Sequence, residues 1–189
     1  GHETTANALT WTWYLLSQDE EVEAKLHAEL NAVLSGRLPT LDDVSKLQYT
    51  EMVFKEALRL YPPAWTVNRT VINDYSISEY TIPANSVILM SQYVTHHDER
   101  YFPNPFAFEP ERWTTQAQAG RPQYCYFPFG GGPRRCIGEG FAMMEGVLVI
   151  ATLARSWRMH LSKGPPVELE PLITLRPRDG MVMRLEKYL

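Results

Sequence analysis

The amino-acid sequence predicts a mainly α-helical fold with small β-sheets at its sides. Apolar residues recur at helical spacing in several long stretches, and short β-rich runs lie between turn residues in the middle and at the end of the chain. The 189 residues are 44% hydrophobic and 21% charged, which is ordinary for a globular protein. Because a chain of this length can enclose one sizeable core, we expect residues 1–189 to belong to a single domain.

Helical signals dominate the first third of the chain. The first predicted helix is apolar on most sides, which suits a buried position. Asp19 is expected to cap the second helix and Gly36 to end it. Thr40 followed by Asp43 resembles a capping box for a short helix. Helices are thus predicted at residues 3–17, 20–35, 40–46, 49–60 and 137–156, with further short helices near residues 91–95 and 99.

The β-rich runs form two groups, each interrupted by turn residues. In the second group, Arg178-Asp179-Gly180 is expected to join the last two strands into a terminal hairpin. The predicted strands are residues 67–72, 75–77 and 87–90 in the first group, and 158–161, 172–175 and 181–185 in the second.

The bulk composition argues against several classes of protein. A formal net charge of −4 indicates no basic surface for nucleic acid or for an anionic membrane. Two cysteines, Cys125 and Cys136, imply no disulfide framework and fit an intracellular, reducing compartment. No signal peptide and no apolar run of membrane-spanning length is visible in the sequence.

The most informative stretch is Phe129-Gly130-Gly131-Gly132-Pro133-Arg134-Arg135-Cys136-Ile137-Gly138, called the Cys loop below. Three successive glycines allow the backbone to turn tightly and to approach another group closely. Cys136 stands at the start of the predicted helix 137–156, where the helix dipole, unpaired N–H groups and the two neighbouring arginines favour a thiolate. Such a sulfur is a suitable axial ligand for haem iron.

The residues of the loop also allow other interpretations. A lone cysteine after a turn is commonly a buried structural residue. A phosphate-binding loop would continue with Gly-Lys-Ser/Thr, which is absent from the sequence, and zinc would need further ligands beside one cysteine. We assign no metal to His96-His97-Asp98, because adjacent histidines point apart.

The Cys loop resembles the haem-binding signature of the cytochrome P450 family, Phe-x-x-Gly-x-Arg-x-Cys-x-Gly, at every fixed position. Ala142, four residues beyond Gly138, fits the continuation of that signature. The resemblance implies that haem b is the cofactor and that Cys136 is the axial ligand of its iron. It further implies that the haem is surrounded by Phe129, Gly130, Arg134, Gly138 and Ala142.

A second motif, Glu56-Ala57-Leu58-Arg59, places an acid and a base one helical turn apart. By itself such a pair is usually a surface ion pair of small energy. In the cytochrome P450 family a downstream Pro-x-Arg segment adds a second arginine, and Pro110-Glu111-Arg112 resembles it. The resemblance implies a structural cluster of Glu56, Arg59 and Arg112. Trp113, where the family often has Phe, is expected to affect packing alone.

A third motif opens the chain. Gly1-His2-Glu3-Thr4-Thr5 resembles the oxygen-activation stretch in the long central helix of the family. The resemblance implies that Glu3 and Thr4 form an acid–alcohol pair that delivers protons during dioxygen activation. Taken alone, the same residues fit an ordinary helix N-terminus.

Weaker correspondences concern the haem propionates, the substrate and the electron donor. Arg69 and Arg134 resemble residues that pair with the propionates, for which a guanidinium is well suited. Together with Arg121 and Arg135, Arg134 is a candidate for a basic face that receives an acidic electron donor. The positions where family members line the substrate pocket are occupied by Ala64, Trp65, Thr66 and Ile173.

In sum, the resemblance implies the C-terminal part of the cytochrome P450 fold, from within the central helix to the terminal β-hairpin. The implied activity is that of a haem-thiolate monooxygenase, which inserts one oxygen atom of dioxygen into an organic, lipophilic substrate. A ferredoxin or a flavoprotein reductase is the expected electron donor. Nucleic acid is not expected to be a partner. Peroxide-driven oxidation, isomerisation and non-catalytic haem binding are the alternatives.

The start of the sequence leads to one more expectation. It opens at Gly1, without Met, and runs directly into a helical pattern. We therefore expect a helix cut at Gly1, a chain that is inactive by itself, and association of its exposed apolar surface into oligomers.

Overall fold

The computed structural model describes residues 1–188, which contain six α-helices and eight β-strands. The helices are α1 (His2–Leu16), α2 (Glu20–Leu34), α3 (Gln48–Leu60), α4 (Gln92–His96), α5 (Thr115–Gln118) and α6 (Glu139–Ala154). Short 3-10 helices lie at Leu41–Lys46, Pro110–Trp113 and Gly132–Arg134. The strands are β1 (Val67–Thr70), β2 (Tyr75–Ile77), β3 (Tyr80–Ile82), β4 (Val87–Met90), β5 (Trp157–Leu161), β6 (Leu169–Pro171), β7 (Leu175–Pro177) and β8 (Met183–Lys187).

Helix α3 is the centre of the helical part, because α1, α2 and α6 all pack against it. Burial of apolar side chains at this junction removes them from water and is the main driving force for folding here. The core includes Ala8, Trp13, Leu16, Val22, Leu26, Leu30, Leu34, Val53, Phe54, Leu58, Val147, Ile150 and Ala151.

The two halves of α1 have different environments. In the second half, side chains on adjacent positions are buried, from Trp11 through Trp13 and at Leu15 and Leu16. In the first half, the side chains up to Thr4 are exposed. The predicted burial of this helix is therefore confirmed for Ala8 and the second half, but not for the first turn. No helix within residues 1–188 combines the length and apolarity needed to span a lipid bilayer.

Two predicted helix caps are present. The Asp19 side chain accepts hydrogen bonds from the Glu21 and Val22 amides at 3.1 and 3.0 Å, which satisfies two N–H groups that the helix leaves unpaired. Asp43 accepts from the Thr40 amide at 3.0 Å, as in a capping box, and the helix that follows Thr40 is a 3-10 helix. Helix α2 ends at Leu34, and Gly36 follows with a φ of +85°.

The strands pair into four antiparallel hairpins or ladders of two strands each: β1–β4, β2–β3, β5–β8 and β6–β7. In the first of these, Val67 lies opposite Met90 and Thr70 opposite Val87. The small side sheets predicted from the sequence are thus confirmed. Strand β3 was not predicted, and β1 ends at Thr70 rather than at residue 72.

The C-terminal strands differ from the prediction in their pairing. Residues 172–174 form the turn between β6 and β7, whereas residues 172–175 were predicted as a strand. Strand β8 pairs with β5, so Arg178-Asp179-Gly180 does not join two partners of one hairpin. Sequence alternation indicates a strand but does not identify its partner, since pairing depends on contacts distant in sequence.

Two helix predictions were also wrong in detail. Helix α6 begins at Glu139, with Gly138 as its N-cap, so Cys136 precedes the helix by three residues. No helix is present near Glu99, where the chain forms a turn.

Candidate functional site

The backbone of the Cys loop is held by hydrogen bonds within the loop and to Phe127, two residues before it. The Cys136 amide donates to the Phe129 carbonyl at 2.9 Å, and the Gly130 amide donates to Phe127 at 2.8 Å. Gly130 has a φ of +74°, which side chains other than glycine rarely tolerate. A Cβ atom on Gly131 would lie 2.8 Å from the Tyr124 ring. The glycines therefore serve the tight backbone path that the sequence predicts.

Cys136 is the exposed member of the two cysteines. It is a free thiol at the surface, whereas Cys125 is buried against Phe102 and Trp113. The residue after it, Ile137, is fully exposed, and Phe141 in the first turn of α6 is also exposed. Exposed large apolar side chains beside an accessible sulfur are typical of a surface that a ligand covers.

The remaining residues assigned to the loop have distinct places. Phe129 packs against the main core, and Ala142 is half-buried in α6. Arg134 is exposed, and its guanidinium makes no hydrogen bond to any residue between 1 and 188 that the structure records. Arg135 instead pairs with Glu139 through two bonds of 2.5 and 2.6 Å at the surface.

A cleft of about 220 Å³ opens beside the loop. Its walls include Lys55 and Arg135 as well as Tyr124 and Glu139. Arg121 lies elsewhere: its guanidinium is stacked over Phe102 and Trp113, 4.8 and 5.1 Å from the ring centroids. Arg121 is half-buried by this cation–π packing and does not line the cleft, and its contribution to a basic face stays a prediction.

Glu56 and Arg59 form a buried pair in α3. Both side chains have 0% exposure, and two bonds of 2.9 and 2.8 Å join the guanidinium to the carboxylate. Arg59 also donates to the backbone carbonyls of His96, Pro105 and Ala107 at 2.7–3.0 Å. These bonds occupy the whole donor fork of the guanidinium, which compensates for its removal from water.

Arg112 completes the acid–base cluster, as Glu56, Arg59 and Arg112 are called below. Its Nε donates to Glu56 Oε1 at 3.2 Å, and 8% of its side chain is exposed. Trp113 Nε1 donates to Glu56 Oε2 at 2.9 Å. The expectation that Trp113 affects packing alone was wrong, because the indole N–H is a donor that Phe would lack.

His96 connects this cluster to the Cys loop through Phe127, whose carbonyl accepts a hydrogen bond from the Gly130 amide of the loop. Its Nε2 accepts a hydrogen bond from the Phe127 amide at 3.0 Å, and its Nδ1 lies 3.3 Å from the Arg59 carbonyl. The first bond requires an unprotonated Nε2, so Nδ1 carries the proton and donates to the carbonyl. Burial lowers the pKa of His96 to about 3, which keeps the ring neutral. Among residues 1–188 no group of three His, Cys, Asp or Glu side chains is arranged to hold a metal ion.

The first turn of α1 carries Glu3 and Thr4. The Thr4 hydroxyl donates to the Gly1 carbonyl at 3.0 Å. Glu3 Oε1 accepts from the hydroxyl of Thr174, in the β6–β7 turn, at 2.6 Å. The structure therefore brings the acid of the predicted pair to a residue that is distant in sequence.

The same turn contacts the segment that follows α3. The Leu175 amide donates to the Pro63 carbonyl at 2.9 Å, and Trp65 Nε1 donates to the Leu172 carbonyl at 2.9 Å. Ile173, at the tip of the turn, is 96% exposed. The predicted substrate residues Ala64, Trp65, Thr66 and Ile173 thus lie on two neighbouring segments.

Arg69 lies in β1, away from those segments in sequence. It is half-buried, and its Nη1 donates to the carbonyl of the adjacent Asn68 at 2.7 Å. Its remaining N–H groups make no recorded bond to residues 1–188, so it has donors for a further acceptor.

Sequence reasoning missed three residues with side-chain roles in these regions: His96, Trp113 and Thr174. The donors of the first two follow from residue type, but their acceptors belong to other segments. Thr174 has no local signal at all, since its partners Glu3 and Asn7 are more than 160 residues away.

Comparison with known proteins identifies one family. The family model described as Cytochrome P450 matches residues 1–184. The chain is 45% identical to cyclooctatin synthase of Streptomyces melanosporofaciens, over 93% of this chain and 38% of that protein. It is 40% identical to cyclooctat-9-en-7-ol 5-monooxygenase of the same organism, over 85% and 35% of the two chains. Human cytochrome P450 4V2 is 39% identical over 99% and 36%.

A solved structure agrees with these relatives. The crystal structure of the cytochrome P450 CYP102L1 superposes with a TM-score of 0.92 and 29% identity, covering 100% of this chain and 44% of that one. The chain spans between 35% and 38% of the length of the three curated relatives. Since the family model covers residues 1–184 and the fold agrees along the whole chain, this chain belongs to the cytochrome P450 family.

Proposed function

We propose that the protein containing this chain is a haem-thiolate monooxygenase that inserts one oxygen atom of dioxygen into an organic, lipophilic substrate. The observation that carries the proposal is the exposed Cys136 thiol in a rigid loop whose neighbouring apolar side chains are also exposed. One similar protein is named a monooxygenase, which supports the same reaction class.

The residues present fit a haem group. Cys136 Sγ would hold the iron, and the exposed side chains of Ile137 and Phe141, one and five residues further along the chain, would offer apolar surface. Haem b, when bound, supplies the redox chemistry of dioxygen, and a thiolate ligand favours O–O cleavage. Arg69 and Arg134 have unused N–H donors that suit the two propionates.

Glu3 and Thr4 are the proposed proton-delivery pair. Glu3 is exposed and can exchange protons with water, and the Thr4 hydroxyl is one residue away on the same turn. The proton of Thr4 Oγ1 is donated to the Gly1 carbonyl, which leaves the oxygen lone pairs able to accept. Such a pair can pass protons from water toward the reacting dioxygen.

The substrate is proposed to contact Trp65 and Ile173. The Trp65 indole is fixed by its bond to Leu172, and Ile173 presents its apolar side chain next to that bond. Ala64 and Thr66 flank the indole. An aromatic ring and an exposed Ile select a lipophilic molecule through burial of apolar surface.

Electrons are proposed to arrive from a ferredoxin or a flavoprotein reductase at the cleft beside the Cys loop. Lys55 and Arg135 on its walls carry positive charge, each beside a surface acid, Glu51 and Glu139, that the acidic groups of a donor would replace. The cleft lies against the loop that carries Cys136. Complementary charge would steer an acidic donor to this face.

The experiment that tests the proposal compares the two cysteines in the complete protein. Cys136→Ser removes a soft ligand and should abolish the red-shifted Soret band of the reduced, carbon-monoxide-bound protein, together with product formation. Cys125→Ala alters the buried thiol and should retain that band. Retention of the band in Cys136→Ser would refute Cys136 as the ligand. A wild-type protein that shows the band but forms product only with peroxide, and not with dioxygen and an electron donor, would refute dioxygen activation.

A further inference from the structure

We infer that Thr174 is a positioning residue that holds the Glu3 carboxylate and connects it to the substrate-facing β6–β7 turn. The inference rests on the proposed role of Glu3 in proton delivery. Thr174 is 7% exposed, and its hydroxyl lies between two side chains of α1. Neither residue type nor sequence spacing indicates this contact, which only the folded chain creates.

The direction of the two hydrogen bonds follows from the donors available. Asn7 Nδ2 donates to Thr174 Oγ1 at 3.1 Å. A hydroxyl has one proton, and because its oxygen is the acceptor from Asn7, that proton is free for Glu3 Oε1, 2.6 Å away. Asn7 lies four residues after Glu3, so both side chains are on one face of α1. Thr174 therefore bridges two successive turns of the helix.

The position of Thr174 is itself fixed by its neighbours in the turn. The Leu175 carbonyl accepts from Trp11 Nε1 at 3.1 Å, and the Leu175 amide donates to Pro63. On the other side, the Leu172 carbonyl accepts from Trp65. The backbone is thus tied on both sides of Thr174, and a long, exposed Glu side chain gains a defined orientation from a rigid donor.

The functional consequence concerns the neighbouring Ile173. Its side chain is exposed at the tip of the turn that presents Thr174 to Glu3. A substrate that contacts Ile173 would contact the residue next to Thr174, whose hydroxyl holds the Glu3 carboxylate. The residue that contacts substrate and the residue that orients the proton-delivering carboxylate are therefore adjacent in the same turn.

The test uses two substitutions in the complete, haem-loaded protein. Thr174→Val keeps the shape of the side chain and removes the hydroxyl. It should lower the coupling, which is the amount of product formed per NAD(P)H oxidised, several-fold. More peroxide should be released, and KM should change little. Thr174→Ser restores a hydroxyl and should recover most of the coupling. Coupling in Thr174→Val equal to that of the wild type would overturn the inference, as would failure of Thr174→Ser to recover it.

A second measurement does not depend on turnover. Urea unfolding of Glu3→Ala, Thr174→Val and the double variant forms a double-mutant cycle, in which alanine removes the acceptor that glutamine would keep. If Thr174 holds Glu3, the midpoint shift of the double variant is smaller than the sum of the single shifts. Additive shifts would overturn the contact. If the wild type lacked monooxygenase activity, the proposed function would fail, yet this cycle would still decide whether Thr174 positions Glu3.

Discussion

The acid–base cluster and the Cys loop differ in where their polar groups find partners. Glu56 and Arg59 are fully buried, and the surrounding chain supplies a partner for each of their charged atoms. Arg134 and Cys136 are exposed, and Ile137 beside them is exposed although it is apolar. A region whose groups are satisfied internally serves as scaffold, whereas a rigid region with unused donors and uncovered apolar surface is suited to a ligand.

The largest expected difference between the two regions is in how far the free energy of unfolding falls when an acidic side chain is removed. Glu56→Ala leaves Arg59 and Arg112 as buried charges without their carboxylate and should lower the free energy of unfolding by about 3–5 kcal/mol. Glu139→Ala breaks the exposed pair with Arg135 and should cost about 1 kcal/mol or less. Chemical denaturation of both variants measures this. Equal losses would show that the cluster is no more structural than the surface pair.

The next prediction concerns pH, because His96 joins the two regions. In the folded chain burial lowers the pKa of His96 to about 3 and that of His27 to about 4, whereas an unfolded histidine has a pKa of about 6.5. Between those values the unfolded state binds protons that the folded state does not. The contribution of these histidines to the free energy of unfolding should therefore be fully present above about pH 6.5. It should fall as the pH decreases, by about 3 kcal/mol for His96 alone at pH 4.

Burial raises the pKa of Glu23, so this carboxyl group makes the folded state more stable as the pH decreases, opposite to the histidines. A variant is therefore needed to isolate the contribution of His96. His96→Gln retains an acceptor but does not titrate. Its free energy of unfolding should fall less steeply than that of the wild type between pH 6.5 and pH 4. Parallel slopes would mean that His96 becomes protonated in the folded protein without cost.

The smallest expected effect compares two glycines of α6. A Cβ on Gly146 would lie 2.2 Å from the Phe54 ring of α3, so Gly146→Ala should destabilise the protein by about 1–3 kcal/mol. Gly140, near the Cys loop, has no atom within 4 Å of such a Cβ. Gly140→Ala should therefore stabilise the helix by up to about 1 kcal/mol. Thermal unfolding of both variants tests the contrast, and destabilisation by Gly140→Ala would show that the loop end of α6 is packed more tightly than the structure indicates.

Prediction from sequence succeeded where the signal is local. The Asp19 cap, the Thr40–Asp43 turn and the main helices follow from residue type and periodicity within a few positions. It failed where partners are distant: β8 pairs with β5, and the residues 172–174 predicted as strand form a turn. Neighbouring residues determine caps and helical faces, whereas the free energy of strand pairing comes from contacts between segments.

The sequence by itself determined the family resemblance, the cysteine proposed as iron ligand and the residue types of the acid–base cluster. These depend on short motifs whose chemistry is contained in a few adjacent residues. The tertiary structure alone decided that Trp113 donates to Glu56, that His96 is a neutral link to the Cys loop, and that Thr174 reaches Glu3. The physical reason is that a hydrogen bond requires two groups within about 3 Å, and only folding brings side chains from separate segments to that distance.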